Sequence, residues 1–124
     1  MVSSPVSNDQ PGLKVIVLGM HRSGTSLASG LLSHAGIHFG DPADFITPNE
    51  ENPKGFWERR DVRALNDSLL HSVGCDWSEI SGFVGATFPS DILASFKTEA
   101  AAILGKLRVG SVSGVIGLKE PRLC

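Results

Sequence analysis

Eight consecutive residues, Gly-Met-His-Arg-Ser-Gly-Thr-Ser at positions 19–26, combine two glycines, an arginine and three hydroxyls. An apolar run at residues 15–18 leads into them, and a helix-forming segment follows. Where a strand enters such a loop and a helix leaves it, backbone N–H groups and the helix dipole converge on an anion. We call residues 19–26 the anion loop. Its predicted phosphate- or sulfate-binding residues are Gly19, His21, Arg22, Ser23, Gly24, Thr25 and Ser26.

The spacing of the anion loop matches a Walker A loop, G-x-x-x-x-G-K-[ST], except at the lysine. Thr25 occupies the lysine position, and the positive charge has moved to Arg22. In nucleotide hydrolases that lysine reaches the β- and γ-phosphates, so its replacement argues against ordinary ATP or GTP chemistry. Two alternatives stay open: a P-loop nucleotide-binding protein or kinase-like fragment, and a non-catalytic anion-binding module.

The hydrophobic pattern predicts the elements that position this loop. A strand is expected at residues 13–18, buried on both faces, and another at 115–118, with 37–39 a doubtful third. Apolar residues three or four apart predict helices at 24–35, 57–73 and 90–108. Strands alternating with helices predict an α/β fold with a parallel sheet. Residues 40–56, which contain three prolines, form a predicted long loop.

Each predicted helix has an expected buried face. In order along the chain, these faces comprise Leu27, Leu31 and Ala35; Val62, Leu65, Leu69 and Val73; and Ile92, Phe96, Ala100, Ile103 and Leu107. On the second helix, four charged residues are expected to face water: Arg59, Arg60, Arg63 and Asp67. With Lys54, the three arginines form a basic cluster, best interpreted as a solvated helix face, with contact to an anionic acceptor as the alternative. Packing is the preferred role for both tryptophans, Trp57 and Trp77, and Phe56 is expected to anchor the long loop.

Three segments, in this order, resemble the bacterial carbohydrate-type sulfotransferases that use 3′-phosphoadenosine 5′-phosphosulfate (PAPS). Arg-Ser-Gly-Thr-Ser at 22–26 looks like their 5′-phosphosulfate loop. Asn-Pro-Lys-Gly-Phe-Trp-Glu at 52–58 is similar to their acceptor-side pattern N-P-K-G-[YF]-x-E, and Lys-Glu-Pro-Arg at 119–122 is similar to their strand-ending K-[DET]-P-R. The resemblance covers about the first half of that domain. It implies a P-loop-like parallel sheet with flanking helices, formed by residues 13–124 as an incomplete, truncated domain.

The resemblance also implies an activity, namely transfer of a sulfuryl group from PAPS, without a metal, to a hydroxyl of a sugar or other small acceptor. Glu58 would be the general base, and Lys119 would contact the transferring group. The structural alternatives are a carboxylate that complements a helix N-terminus and a lysine that extends to solvent at the sheet edge. The family's 3′-phosphate site lies on later segments, so a fragment of this extent is expected to lack it and to be inactive or impaired.

Composition limits the other partners. With 11 Lys and Arg against 13 Asp and Glu, the net charge of −2 provides no general attraction to nucleic acid or membrane. Residues 1–12 lack the features of a signal peptide and are expected to be a flexible tail. Cys75 and Cys124 form no metal or redox pair, which predicts a cytoplasmic protein. Two or three strands make a narrow sheet, so we expect truncation, with a homodimer or a sheet-completing partner as the alternative.

Overall fold

The computed structural model describes residues 12–121. The tail predicted at 1–12, apart from its last residue, lies outside the described residues, as do Arg122 and Cys124. The elements are β1 (Lys14–Val17), α1 (Thr25–His34), a short 3₁₀ helix (Pro42–Asp44), α2 (Arg60–His71), α3 (Ser90–Gly110) and β2 (Ile116–Lys119). The described part of the chain is thus a mixed α/β structure with three α-helices and a small parallel sheet, as predicted at this level.

The sheet pairs the first and last elements of the described residues. β1 and β2 are parallel, with Lys14 opposite Ile116 and Val17 opposite Lys119. The doubtful third strand is reduced to a single parallel bridge between His38 and Ile116. In that bridge the His38 N–H donates to the Val115 carbonyl at 3.1 Å, and the Gly117 N–H donates to the His38 carbonyl at 2.9 Å. The parallel register brings the carboxyl ends of β1 and β2 to one edge, where the anion loop begins.

The predicted extent of α1 is correct to within one residue at each end, but its predicted buried face is wrong. Leu27 and Leu31 are 70% and 65% exposed, whereas Thr25 and Ser29 are buried. The small residues of α1 face the protein interior because neighbouring groups leave little room on that side. The Trp57 ring, for example, lies against Gly30.

The expectation that β1 is buried on both faces is also wrong for the described residues. Ile16 in β1 and Leu18 just after it are each more than half exposed, while Val17 is buried. Ile16 and Leu18 are therefore exposed apolar residues, as are Leu27 and Leu31 of α1.

The helix α2 begins three residues later than predicted, and this changes the environment of Arg59. Trp57 has a left-handed backbone conformation (φ 60°) and Arg59 is extended, so the helix cannot start before Arg60. Arg59 was expected to face water, but its side chain is only 4% exposed. Its guanidinium binds the Asp61 carboxylate, with Nη2 2.7 Å from Oδ2, and lies 3.6 Å from Asp44.

The remaining helical predictions are largely correct. Val62 and Leu65 are buried in α2 and Leu69 is half-buried. The helix ends at His71, two residues before the predicted end, so the half-buried Val73 lies beyond it. The helix α3 extends two residues beyond its predicted end at 108, and Leu107 is almost fully buried. The other predicted core residues of α3 are half-buried. Within the described residues, no helix is both long enough and apolar enough to cross a membrane.

An aromatic cluster anchors the base of the long loop. Trp57 lies 6.0 Å from Phe39 and 5.6 Å from Phe45 between ring centroids. Such pairs contribute about 0.5–1.5 kcal/mol each beyond area burial. Phe39 can lie on β2 only because residue 117 is glycine, since a Cβ there would be 2.7 Å from the Phe39 ring. The preferred packing role of Trp57 is therefore correct.

Candidate anion-binding site

The anion loop has a conformation that its glycines and one serine make possible. A Cβ at Gly19 would lie 2.6 Å from Thr25 Cγ2 and 2.7 Å from Ser23 Oγ, so no larger residue fits. Ser23 closes the turn, because its N–H and its hydroxyl both donate to the Met20 carbonyl, at 3.2 and 2.6 Å. Arg22 has a left-handed φ of 62°. The predicted binding residues Gly19 and Ser23 thus shape the loop.

The loop ends at the N-terminus of α1, with Gly24 as the N-cap. Among the described residues no side chain caps this terminus, and its first turn contains no acid. The first N–H groups of an α-helix have no acceptor within the helix, and together with the helix dipole they favour a nearby anion. Thr25 and Ser26 place two hydroxyls on this first turn. The local structure is therefore suited to an anionic group.

A cavity of about 500 Å³ opens in front of this helix terminus, and we call it the loop cavity. It gathers residues from four separated segments of the chain. Five of the seven predicted loop residues line it, namely all except Gly19 and Ser23, and so do both residues to which the resemblance gives catalytic roles. The lining residues are His21, Arg22, Gly24, Thr25, Ser26, Glu51, Asn52, Phe56, Glu58, Trp77 and Lys119.

Glu58 and Lys119 form a buried ion pair in this cavity. Lys119 Nζ donates to Glu58 Oε1 at 2.5 Å, and the two side chains are 4% and 6% exposed. Lys119 is the last residue of β2, while the Glu58 backbone is fixed by its carbonyl, which accepts from the Ile46 N–H at 2.8 Å. The alternative of a lysine extending to solvent is thus wrong. Each charge is tolerated in the interior because the other lies beside it.

The long loop contacts the anion loop through two neighbouring residues. Asn52 Nδ2 donates to Ser26 Oγ at 3.1 Å, and Arg22 Nη1 lies 3.7 Å from Glu51 Oε2. The second pair is open to water, since its side chains are 72% and 75% exposed, and such pairs contribute at most about 1 kcal/mol. Sequence analysis did not single out Glu51 or the side chain of Asn52 as part of the site, because their contacts depend on how the long loop folds back.

Two aromatic residues form the apolar wall of the loop cavity. Phe56 lines it and also lines a groove of the long loop together with Trp57, so its role is not only to anchor that loop. Trp77 is 57% exposed and contacts the His21 ring edge-on at 5.4 Å, so it is not a packed core residue. Asp76 supports it from the preceding position, since Asp76 Oδ1 accepts from the Ser78 hydroxyl and from two N–H groups.

A second cavity of about 220 Å³ adjoins the first, and we call it the side cavity. Four residues line both cavities: His21, Phe56, Glu58 and Trp77. The side cavity adds Ile46, Thr47, Asn49 and Arg63. Glu58 therefore lies where the two cavities meet.

Hydrogen bonds shift the pKa of Asp76, which precedes Trp77, and of Asp61 in the first turn of α2. The Ser78 hydroxyl, followed by the N–H groups of Ser78 and Glu79, lowers the pKa of Asp76 below its ordinary value. Burial alone would raise the pKa of Asp61, but the hydrogen bond and charge of Arg59, with the Val62 N–H, outweigh it and lower that pKa. Both groups keep their negative charge to lower pH than a free aspartate and so hold the turns they stabilise.

Within residues 12–121, no group of three or more His, Cys, Asp or Glu side chains is placed to hold a metal ion. No protein-family model matches the chain, and neither a curated protein nor a solved structure matches it. Any assignment of function therefore depends on the residues of the site and on their geometry.

Proposed function

We propose that this chain carries the donor-binding loop and the general base of a PAPS-dependent sulfotransferase with a P-loop-like fold. The observation that carries the proposal is the convergence of three distant segments, at 19–26, 51–58 and 119, on one cavity of about 500 Å³. That cavity combines an uncapped helix N-terminus, two cations and a buried carboxylate. In the proposal, the activity belongs to the reducing cytoplasm, in keeping with the free thiol of Cys75.

The residues present suit the phosphosulfate end of the donor. The N–H groups of the first turn of α1 would donate to the 5′-phosphate, with the hydroxyls of Thr25 and Ser26 beside them. Arg22 would exchange its exposed contact with Glu51 for the donor, and a guanidinium matches the geometry of phosphate or sulfate oxygens. The crowding at Gly19 supports this fit, because a side chain there would displace Thr25.

Glu58 and Lys119 would act together on the acceptor side. Glu58 takes the proton from the acceptor hydroxyl as the acceptor oxygen bonds to sulfur. The bond between sulfur and the phosphate oxygen breaks, and its electron pair leaves with the phosphate. Lys119 positions Glu58 and, with Arg22 and the N-terminus of α1, stabilises the negative charge of the leaving phosphate.

Calorimetric titration with 3′-phosphoadenosine 5′-phosphate (PAP) and with ATP tests this function. We expect PAP to bind without Mg²⁺, and we expect Arg22→Ala to weaken it at least tenfold. A tenfold loss is about 1.4 kcal/mol, close to the lower end for one charge-assisted hydrogen bond. Arg108→Ala, an exposed substitution near the end of α3, is the matched control and should leave affinity unchanged. Preference for ATP together with Mg²⁺ dependence would contradict the proposal and favour a nucleotide-binding protein.

A non-catalytic anion-binding module is the second candidate, and the exposed apolar surface favours it. Ile16, Leu18, Leu27 and Leu31 are all more than half exposed, and burying them against another chain would be favourable. Such a module would bind PAP and form a stable complex or dimer in light scattering. It would release no sulfonated product from PAPS with any acceptor, whereas product formation, even at a low rate, would favour the sulfotransferase.

A further inference from the structure

The side cavity has the position that an acceptor site requires. It shares Glu58 with the loop cavity, so one acidic residue borders both spaces. A general base must reach the acceptor hydroxyl while the transferring group lies on the far side of that hydroxyl. Its volume of about 220 Å³ is less than half that of the loop cavity, which suits a compact group better than a nucleotide.

The lining of the side cavity indicates the chemistry of its ligand. Phe56 and Trp77 provide aromatic surface, on which the face of a ring can pack. Thr47 and Asn49 provide a hydroxyl and an amide, which are the groups that bind hydroxyls. A few polar groups on an apolar wall are typical of small-molecule sites.

The charges in the side cavity favour a negatively charged ligand. Glu58 is already matched by Lys119 at 2.5 Å. Arg63 lines the cavity, and its ion pair with Asp67 is weak, since Nε lies 3.9 Å from the carboxylate and the Arg63 side chain is 43% exposed. The planar N–H donors of Arg63 can therefore bind a carboxylate in the cavity.

The rest of the basic cluster lies elsewhere. Of its four members, all of which the structure describes, Arg63 alone lines the side cavity. Arg59 is buried against Asp61, and Arg60 donates to the Ala43 carbonyl. Lys54 lines a separate groove beside Pro48. The sequence-based interpretation of these residues as one solvated face therefore does not describe Arg59, whose side chain is buried.

We propose, as an extension that depends on the proposed function, that the side cavity binds the acceptor and selects one that carries a carboxylate. The acceptor is a hydroxylated ring compound of the sugar-acid class, with its carboxylate on Arg63 and its ring against Phe56 and Trp77. Its reacting hydroxyl then faces Glu58. In the transfer, the acceptor oxygen bonds to sulfur, the proton goes to Glu58, and the electron pair of the broken sulfur–oxygen bond stays with the phosphate.

Nuclear magnetic resonance provides a readout inside the cavity. The chain has two tryptophans, and their indole N–H signals can be assigned with Trp77→Phe. Trp77 lines both cavities, and PAP is present to occupy the loop cavity, so a further shift of its signal reports on the side cavity. Trp57, packed between Phe39 and Phe45, is the internal reference. With PAP present, we expect glucuronate to shift the Trp77 signal at concentrations at least tenfold lower than glucose, and to leave Trp57 unchanged.

Variants at matched positions separate the roles of the two exposed arginines of α2. Arg63→Gln should remove the preference for glucuronate without changing PAP affinity, and Arg63→Lys should keep part of it. Arg60→Gln, one turn away and outside the side cavity, should leave the preference intact. The position of the Trp57 signal shows whether each variant is folded.

The outcomes distinguish the two proposals. Absence of PAP binding would overturn the proposed function, and the acceptor proposal with it. PAP binding with equal responses to glucuronate and glucose would overturn the acceptor proposal alone. A preference that survives in Arg63→Gln would also overturn it, because the carboxylate would then be bound by another group.

Discussion

The chemistry of the site depends on a few charged side chains whose partners are already in place. Lys119 holds Glu58 in place in the free protein, and this would reduce the reorganisation required for the proton transfer that we propose. Arg22 is held more loosely, at 3.7 Å from a carboxylate in water. Under the proposed function, the site therefore combines a rigidly held base, Glu58, with an anion-binding arginine, Arg22, that exchanges partners easily.

The buried pair predicts a non-additive loss of stability. Lys119→Met leaves Glu58 buried without its partner, and breaking such a pair costs about 3–5 kcal/mol. Glu58→Gln should also destabilise, whereas the double variant should recover much of the loss because no charge remains buried. Urea denaturation of the four proteins measures this coupling. Additive losses would show that the two groups do not interact in solution.

The ion pair of Asp61 with Arg59 predicts a dependence of stability on pH. Because the folded-state pKa of Asp61 is lowered, its contribution is present above the unfolded pKa, about 3.9, and disappears as pH falls through the folded value. Asp61→Asn should therefore lower the free energy of unfolding by about 2 kcal/mol near neutral pH, and by less below pH 4. Denaturation from pH 3 to 7 measures the difference. A gap that stays constant would indicate a packing effect.

At the scale of elements, the long loop and the anion loop act as one unit. The antiparallel bridge between Phe45 and Arg59 closes the base of the long loop, and Asn52 ties its middle to Ser26. The periodicity of the sequence predicted the helices, because apolar spacing reports on helical structure directly. The periodicity could not predict the Phe45–Arg59 bridge or the Glu58–Lys119 ion pair, because no repeating pattern links the two residues of either contact.

Glu51 is expected to restrain Arg22 in the free protein. Glu51→Gln removes the competing carboxylate, so PAP affinity should rise by about two- to fivefold. This range corresponds to the free energy that an exposed ion pair contributes. Glu50→Gln changes the net charge equally, and Glu50 does not line the cavity, so it controls for general electrostatics. Equal gains in the two variants would assign the effect to net charge instead of to the Arg22 contact.

Gly19 and Gly105 provide a matched pair for testing the crowding of the anion loop. Gly19→Ala should destabilise the fold by about 1–3 kcal/mol and weaken PAP binding, since its Cβ would contact Thr25 at 2.6 Å. Gly105 lies inside α3 with open space around its Cβ position, so Gly105→Ala should stabilise by about 0.5–1 kcal/mol. Thermal unfolding and PAP titration compare them. A neutral Gly19→Ala would show that the loop differs from the tight form described.

At the scale of the whole molecule, the site lies at one edge of a narrow sheet with an exposed apolar side. Anion-loop spacing and helix positions could be predicted, but the buried face of α1 could not. Amphipathic spacing shows that Leu27 and Leu31 share a face, and it does not show which neighbour covers that face. Within the described residues none does, and the hydroxyl-bearing face packs inward instead. The local sequence pattern was thus sufficient to predict the helices. How the helices pack depends on contacts between residues that are distant in sequence.

A crystal structure of the chain grown with PAP tests the central claim most directly. We predict that the 5′-phosphate lies at the N-terminus of α1, within hydrogen-bond distance of the Thr25 and Ser26 hydroxyls. We also predict that Arg22 has left Glu51 to bind that phosphate. PAP bound elsewhere, or an anion loop whose N–H groups and arginine keep only protein partners, would contradict the account.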